Sequence, residues 1–273
     1  MKRLILVPLL ALALAGNADA KARKKHKKPM KSKSARIERV QPSMGSYVLF
    51  DYANSEFDSE FNRHQVRSIA SITKMFTAIT VINSNADLYE KLLVHGHNGG
   101  KVPKGTRISR IDLLKAMVMN SDNLAAEVLA NNHPGGFEKF LLDANNFNRS
   151  MGLMDTDIVD SSGLLPGNQS TATDLVLFLS IIKNNPVIQE IGALRQYELA
   201  VPNSRGRTYH IKFHNTNPEL YKYDNILISK TGFTNQAGRC VMMLVEKGQK
   251  SYALVVLGQP NIQRRSQIVN RLM

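Results

Sequence analysis

Three short strings in this chain carry side chains that could act together on a carbonyl group. They are Ser-Ile-Thr-Lys at 71–74, Ser-Asp-Asn at 121–123 and Lys-Thr-Gly at 230–232. A serine attacks a carbonyl carbon when a neighbouring base takes its proton, and an amine is such a base once it is neutral. Their residue types therefore indicate acyl transfer through a covalent serine intermediate.

The first string predicts the nucleophile and its base. Apolar residues recur at helical spacing over residues 71–82, so a helix is expected there. Ser71 and Lys74 then lie one turn apart on one face, and Ser71 lies at a helix start, where free N–H groups favour negative charge. An ammonium that is desolvated, or crowded by other cations, loses its proton near neutral pH. We expect Lys74 to be the base that activates Ser71.

A second Ser-x-x-Lys string at 180–183 shows that this pattern is weak by itself. About one match is expected by chance in a chain of this length. Ser180 is predicted to lie well inside a helix, away from the free N–H groups of a helix start. Only the string at 71–74 is followed in order by the other two.

The second string predicts groups that handle the substrate and the leaving amine. Ser121 falls in a predicted break between two helices and is suited to relay a proton to the leaving amine. Asn123 both donates and accepts hydrogen bonds, so it can hold a substrate amide. Asp122 is expected to face inward and cap the following helix.

The third string predicts a binding edge at the end of a strand. Lys230 supplies positive potential, and the Thr231 hydroxyl can donate to a carboxylate. Gly232 lets a substrate backbone approach the strand closely. The backbone N–H groups of Phe233 and Ser71 are expected to form an oxyanion hole.

The elements that must position these strings are strands at both ends of the chain with helices between them. Strands are predicted over 47–52, 57–61, 156–159, 209–213, 226–230, 241–245 and 252–257. Helices are predicted over 71–82, 109–119, 124–130, 137–151, 173–183 and 264–272. This order predicts an α+β fold: one antiparallel sheet built from the two ends of the chain and flanked by helices, with 109–151 as an inserted helical lobe.

The N-terminal residues predict export. A positively charged start, an apolar run at 4–15 and Ala-Asp-Ala at 18–20 are typical of a signal peptide, so residues 1–20 are expected to be removed near Ala20. The run is short for a bilayer span, which makes a retained anchor the weaker alternative. The single cysteine, Cys240, allows no internal disulfide and is expected to be a buried core residue.

Most of the positive charge is concentrated in one segment. The formal net charge is +14, and residues 21–39 hold ten Lys or Arg against one Glu. Such a run cannot bury a core, so residues 21–44 are predicted to be a disordered tail before one folded domain over 45–273. The tail is either a solvated tether or a contact for an anionic surface such as lipid head groups or cell-wall polymer. Nucleic acid is not expected as a partner of an exported chain.

Longer segments around the strings resemble the D-Ala-D-Ala carboxypeptidase family of low-molecular-mass penicillin-binding proteins. These segments are residues 67–74, 132–137, 163–164 with 170–175, and 230–240. The segments at 132–137 and 230–240 look most like the endopeptidases of that family. The resemblance covers roughly residues 45–273 and leaves out the basic tail.

The resemblance implies a β-lactamase/transpeptidase-like fold and a periplasmic serine D,D-peptidase. Its substrates would be peptidoglycan peptides, cleaved at D-alanyl bonds in cross-links or at terminal D-Ala-D-Ala. Penicillin and other β-lactams are expected to inhibit by acylating Ser71. Some relatives bind the substrate carboxylate with an arginine near the final helix, where Arg264 or Arg265 could serve, and Arg265 is the chosen candidate.

No cofactor or metal is expected. The pairs His95 with His97 and His210 with His214 have spacings that could ligate a metal, but neither pair has a clearly placed third ligand. No phosphate-binding loop or dinucleotide fingerprint is present in the sequence.

Two alternatives to the peptidase interpretation remain. A class A β-lactamase uses the same three strings but needs a glutamate that activates the deacylating water. The segment at 160–173 contains no Glu-x-x-Leu-Asn, which argues against rapid penicillin hydrolysis. A non-catalytic wall-binding scaffold is the other alternative, and the presence of every expected catalytic side chain argues against it.

Overall fold

The computed structural model describes residues 45–202 and 207–273. The predicted signal peptide over 1–20 and the basic tail over 21–44 lie outside these residues. Within the described ranges, no helix is long and apolar enough to cross a membrane.

A five-stranded antiparallel sheet joins the two ends of the folded chain, in the order β2-β1-β11-β10-β9. Three two-stranded pairs lie apart from it: β3 with β6, β4 with β5, and β7 with β8. The strands are β1 (Ser46–Asp51), β2 (Glu56–Phe61), β3 (Arg67–Ser68), β4 (Lys91–Leu93), β5 (Arg107–Ser109), β6 (Gln169–Ser170), β7 (Gln196–Pro202), β8 (Thr208–His214), β9 (Ile226–Thr234), β10 (Gly238–Lys247) and β11 (Lys250–Gln259).

Four helices lie between β3 and β6 in the chain, two lie between β6 and β7, and the last follows β11. They are α1 (Thr73–Asn83), α2 (Arg110–Asn120), α3 (Asn123–Asn131), α4 (Gly136–Ser150), α5 (Ala172–Ile182), α6 (Pro186–Gly192) and α7 (Ile262–Leu272). A 3₁₀ turn over Ala70–Ile72 leads into α1, and another covers Pro218–Tyr221.

The central sheet is buried on both faces because its strands alternate two sets of apolar side chains. On β10, Met242 and Leu244 belong to the larger core, which includes α1 and α5. Val241 and Met243 belong to a second core that includes side chains of α7. Within the larger core, the rings of Phe76 on α1 and Phe178 on α5 stack with centroids 3.9 Å apart. These contacts hold α1, which carries Lys74, against the rest of the fold.

Most of the predicted elements are present, including the N-terminal hairpin and the helical lobe formed by α2, α3 and α4. Two predictions were wrong, and some elements were not predicted. The strand predicted over 156–159 is only a single bridge between Asp157 and Gln169. The segment that forms α6 and β7 had no predicted structure, because each element is short and is completed by pairing or packing with distant residues. The string at 230–232 lies inside β9, since Phe233 and Thr234 continue to pair with β10.

Candidate active site

Ser71 lies in the 3₁₀ turn before α1, and Lys74 lies one turn later. Lys74 Nζ is 2.9 Å from Ser71 Oγ, 2.7 Å from Asn123 Oδ1 and 2.6 Å from the Ser162 carbonyl oxygen. The latter two oxygens can accept both N–H groups of a neutral amine, which leaves its lone pair for the Ser71 hydroxyl. This contact suits a nucleophile and its base.

The environment of Lys74 favours its neutral form. The side chain is completely buried, and this burial lowers the pKa of Lys74 to about 7, although the carboxylates of Asp160 and Asp122 oppose the shift. Of the two causes that the sequence left open, desolvation is therefore the one that lowers this pKa. At neutral pH a substantial fraction of Lys74 can accept a proton.

The second string forms the junction between α2 and α3. Ser121 has a left-handed backbone (φ 61°) that ends α2, so the chain turns there. Asp122 caps α3, as predicted: its Oδ1 accepts the Ala125 N–H over 2.9 Å and its Oδ2 accepts the Val102 N–H over 3.1 Å. These bonds fix the junction, so Asn123 faces Lys74 from the first residue of α3.

The third string brings a second buried lysine to the site. Lys230 is 1% exposed, and its Nζ donates hydrogen bonds to Ser121 Oγ over 3.1 Å and to the Thr231 carbonyl over 2.9 Å. Burial, together with the charge of Lys74, holds the pKa of Lys230 well below its usual value. The Thr231 hydroxyl lies 2.6 Å from the hydroxyl of Thr216, a residue that the sequence analysis did not identify.

Gly232 is required by the close approach of β9 to the nucleophile. A Cβ at this position would lie 2.7 Å from the Ile69 carbonyl oxygen and 3.0 Å from the Ser71 nitrogen. Such distances are not compatible with an undisturbed backbone, so only glycine fits here. The strand therefore brings the backbone of Gly232 and Phe233 beside that of Ser71, where an oxyanion hole is expected.

A tight loop over 160–168 supports Lys74, a role that the sequence analysis did not predict. The Asp160 carboxylate accepts hydrogen bonds from the N–H groups of Ser162, Gly163 and Leu165 and from the Asn168 side chain. Desolvation raises the pKa of the half-buried Asp160 carboxyl, but these hydrogen bonds outweigh that effect and hold the pKa below its usual range. The loop thereby holds the Ser162 carbonyl against Lys74 Nζ. The only sequence signal was Gly163, whose Cβ would lie 1.9 Å from the Ala70 carbonyl oxygen.

An open cavity of about 230 Å³ lies beside these groups. Its lining residues come from both predicted and unpredicted positions: Ser71, Ser121, Thr216, Thr231, Gly232, Phe233, Arg239, Ile262 and Arg265. The lining contains two guanidinium groups and no carboxylate, so the cavity favours an anionic ligand.

The final helix places Arg265, and not Arg264, at this cavity. Arg265 is 3% exposed, and its Nε and Nη2 are buried with no hydrogen-bond partner among the described residues. The nearest carboxylate oxygen is Glu219 Oε1, 4.0 Å from Nη2. Arg264 is instead half-buried and does not line the cavity. Arg265 therefore offers free donors to a bound carboxylate.

The other singled-out residues do not enter the site. Cys240 is a fully buried free cysteine, as predicted. Ser180 donates to the Leu177 carbonyl inside α5, away from the cavity lining. In the parts of the chain that the structure describes, no group of three or more His, Cys, Asp or Glu side chains could hold a metal ion.

The amino-acid sequence is similar to those of known serine peptidases. The profile of the D-alanyl-D-alanine carboxypeptidase family matches residues 31–261. A D-alanyl-D-alanine endopeptidase of Escherichia coli (strain K12) is 35% identical over 221 residues, which cover 78% of this chain and 70% of the relative.

Solved structures show the same fold. Penicillin-binding protein D2 of Listeria monocytogenes, in an ampicillin-bound form, is 27% identical with a TM-score of 0.73, covering 86% of this chain and 97% of that one. The Streptomyces K15 DD-transpeptidase is 21% identical with a TM-score of 0.78, covering 86% and 98%. The predicted α+β transpeptidase-like fold is confirmed. The protein belongs to the D-alanyl-D-alanine carboxypeptidase family of serine-type peptidases.

Proposed function

We propose that this chain hydrolyses D-alanyl bonds in peptidoglycan peptides through an acyl-enzyme on Ser71. The observation that carries the proposal is the contact of the buried Lys74 amine with Ser71 Oγ, in a site where Lys230 contacts Ser121. The resemblance of the chain to D-alanyl-D-alanine endopeptidases and carboxypeptidases supports both cross-links and terminal D-Ala-D-Ala as substrates.

In the acylation step, Ser71 Oγ attacks the D-alanyl carbonyl carbon while Lys74 Nζ takes the hydroxyl proton. The backbone N–H groups of Ser71 and Phe233 stabilise the oxyanion that forms on the carbonyl oxygen. The C–N bond then breaks, and the leaving amine takes a proton from Ser121. Lys230 can replace that proton because its Nζ contacts Ser121 Oγ. Water later attacks the ester carbonyl, and Ser71 Oγ takes its proton back from Lys74 as the ester bond breaks. Of the two protons that the water gives up, one restores Lys230 and the other leaves with the products.

The leaving residue of the substrate carries a carboxylate next to the scissile bond. The Thr231 hydroxyl and the unpartnered guanidinium atoms of Arg265 line the cavity and can donate to that carboxylate. Asn123 holds the amide of the acyl side, in addition to its bond with Lys74. Penicillin carries a similarly placed carboxylate and acylates Ser71, but the amine that its ring opening releases stays attached.

The class A β-lactamase alternative is disfavoured by the loop over 160–168. Its carboxylate, Asp160, is occupied by backbone N–H groups of its own loop and does not line the cavity. No glutamate lines the cavity either. A penicilloyl adduct on Ser71 is therefore expected to persist.

We also propose that the chain is exported to the periplasm after cleavage near Ala20, and that the basic segment over 21–39 contacts an anionic surface. The charge of that segment and the signal-like residues 1–20 support both proposals. Nucleic acid is not a proposed partner.

The experiment that tests the function combines intact mass of the mature protein after incubation with penicillin and digestion of cross-linked muropeptides. A stable adduct, absent from Ser71→Ala, with loss of cross-linked dimers is the expected result. Fast loss of the adduct with penicillin turnover would establish a β-lactamase. A protein with neither adduct nor cleavage would leave only the scaffold alternative.

A further inference from the structure

The cavity holds a second cation whose role the proposed reaction leaves unexplained. Arg239 begins the bulged part of β10, directly opposite Phe233 in the register of β9. Its guanidinium carbon lies 3.6 Å from the centroid of the Phe233 ring. Because the ring occupies one face of the guanidinium, the N–H groups at its edge remain available to a ligand in the cavity.

No anion in the described protein neutralises the two arginines fully. Arg239 takes part in none of the ion pairs of the described ranges, while Arg265 has only Glu219 at 4.0 Å. Glu219 is itself engaged by Lys222 at 3.0 Å and by the Ser266 hydroxyl at 2.6 Å. The cavity therefore presents two guanidinium groups. The only carboxylate paired with either of them in the described ranges is that of Glu219, which lies beside Arg265 and also binds Lys222 and Ser266.

The two guanidinium groups also repel each other. Burial lowers the pKa of Arg265, the charge of Arg239 lowers it further, and Glu219 offsets these effects only in part. Two like charges beside one cavity destabilise the free site, and a bound anion reduces that cost. One carboxylate of a ligand can occupy the free donors of Arg265. The donors of Arg239 then remain free to bind a second carboxylate.

Packing of Phe233 alone is a weak explanation for Arg239. A cation–π contact at a partly exposed site contributes only about 0.5–1 kcal/mol, and a neutral side chain could cover the ring without adding charge beside Arg265. A charge placed at the cavity edge instead discriminates between ligands that share one carboxylate but differ in a second.

We infer that Arg239, held by Phe233, selects substrates whose leaving residue carries a second carboxylate. The inference rests on the proposed function, because it assigns the leaving residue to the Arg265 end of the cavity. Arg265 and the Thr231 hydroxyl take the carboxylate next to the scissile bond. Arg239 takes the second carboxylate, which lies on the side chain of the leaving residue, and Ile262 provides an apolar wall for the intervening methylene groups.

The test uses three acyl-D-Ala–X peptides in which X is D-glutamate, D-glutamine or D-alanine. D-Glutamine has the shape of D-glutamate without its second charge, so the ratio of their kcat/KM values isolates that charge. We expect the wild-type enzyme to prefer D-glutamate about tenfold, as for one charge-assisted hydrogen bond. Arg239→Gln should bring the ratio close to one, and Arg239→Lys should retain part of it.

Arg264→Gln is the matched control, because it removes an arginine of the neighbouring α7 that lies outside the cavity lining. It should keep the wild-type ratio. A wild-type ratio near one, or a preference that survives in Arg239→Gln, would overturn the inference while cleavage of the D-alanine peptide and the penicillin adduct still supported the proposed function. An enzyme that cleaves none of the peptides and forms no adduct would overturn both.

Discussion

Lys230 Nζ donates a hydrogen bond to Ser121 Oγ over 3.1 Å, which joins the third string of the sequence to the second. The charge of Lys74 lowers the pKa of Lys230. When Lys74 takes the Ser71 proton it becomes fully charged, so Lys230 then loses its own proton more readily. This coupling moves a proton toward Ser121 when the leaving amine needs one.

Removal of the Ser121 hydroxyl should interrupt that relay. We expect Ser121→Ala to lower kcat for an acyl-D-Ala-D-Ala peptide about 10²–10⁴-fold, the range typical of a positioned proton donor. Steady-state assays of D-alanine release give this value. Penicillin labelling of Ser71 should still be detectable, which separates loss of the relay from loss of the fold. An unchanged kcat would exclude Ser121 from proton transfer.

Acylation should depend on pH through Lys74. Only the neutral amine accepts the Ser71 proton, and the pKa of Lys74 is about 7. The rate of penicillin acylation should therefore rise with pH to a plateau, and fall about tenfold per pH unit below the midpoint. Stopped-flow measurements in a series of buffers check this dependence. Lys74→Ala should lose most of the rate, and unchanged acylation in this variant would rule out Lys74 as the base.

Asp160→Asn should shift that midpoint to lower pH. The charged groups that act on Lys74 are the carboxylates of Asp160 and Asp122, which raise its pKa. Without the negative charge of Asp160, the ammonium form of Lys74 is less stabilised, so the pKa of Lys74 falls further. The plateau should also drop, because the new amide N–H₂ faces backbone donors of the loop and loosens the Ser162 carbonyl.

The matched control for this variant is Asp157→Asn, which removes a half-exposed carboxylate of the same segment that pairs with Arg149 at the surface. Its acylation midpoint should equal that of the wild type. A midpoint that does not move in Asp160→Asn would mean that the loop acts on Lys74 through geometry alone.

Gly232→Ala should slow acylation strongly with little change in the remainder of the fold. The added Cβ meets the backbone of Ile69 and Ser71, so the turn that carries the nucleophile must move. A displacement of the nucleophile by about 1 Å can lower the rate about 100-fold. Gly99→Ala is the control, since its Cβ would meet nothing within 4 Å. If Gly232→Ala were acylated at the wild-type rate, β9 could move away from the turn that carries Ser71 without any loss of activity.

Phe178→Ala should destabilise the core that holds α1. The Phe178 ring is fully buried against Phe76, and its removal leaves a cavity that typically costs about 3–5 kcal/mol in the free energy of unfolding. Denaturant titration measures this change. Leu177→Ala, at a position of the same helix that is 39% exposed, should cost much less. Equal losses in the two variants would contradict the assignment of this stack to the core.

Several features could be predicted from the sequence because they depend on residues close together in the chain. Ser71 and Lys74 share a helix face one turn apart, and Asp122 caps the helix that starts at the next residue. Apolar runs at 241–245 and 252–257 predicted two strands of the central sheet, and the position of Cys240 in such a run predicted its burial. The order of the three strings also predicted the family and the reaction class.

Other features were decided by the tertiary structure, because they depend on contacts between distant segments. Arg264 and Arg265 are equivalent in the sequence, and only the packing of α7 against the sheet turns Arg265 into the cavity. Arg239 and Asp160 belong to a strand and a loop whose patterns carry no chemical signal of their own. Their roles follow from folding, which stacks Arg239 on Phe233 beside Arg265 and places the Asp160 loop against Lys74.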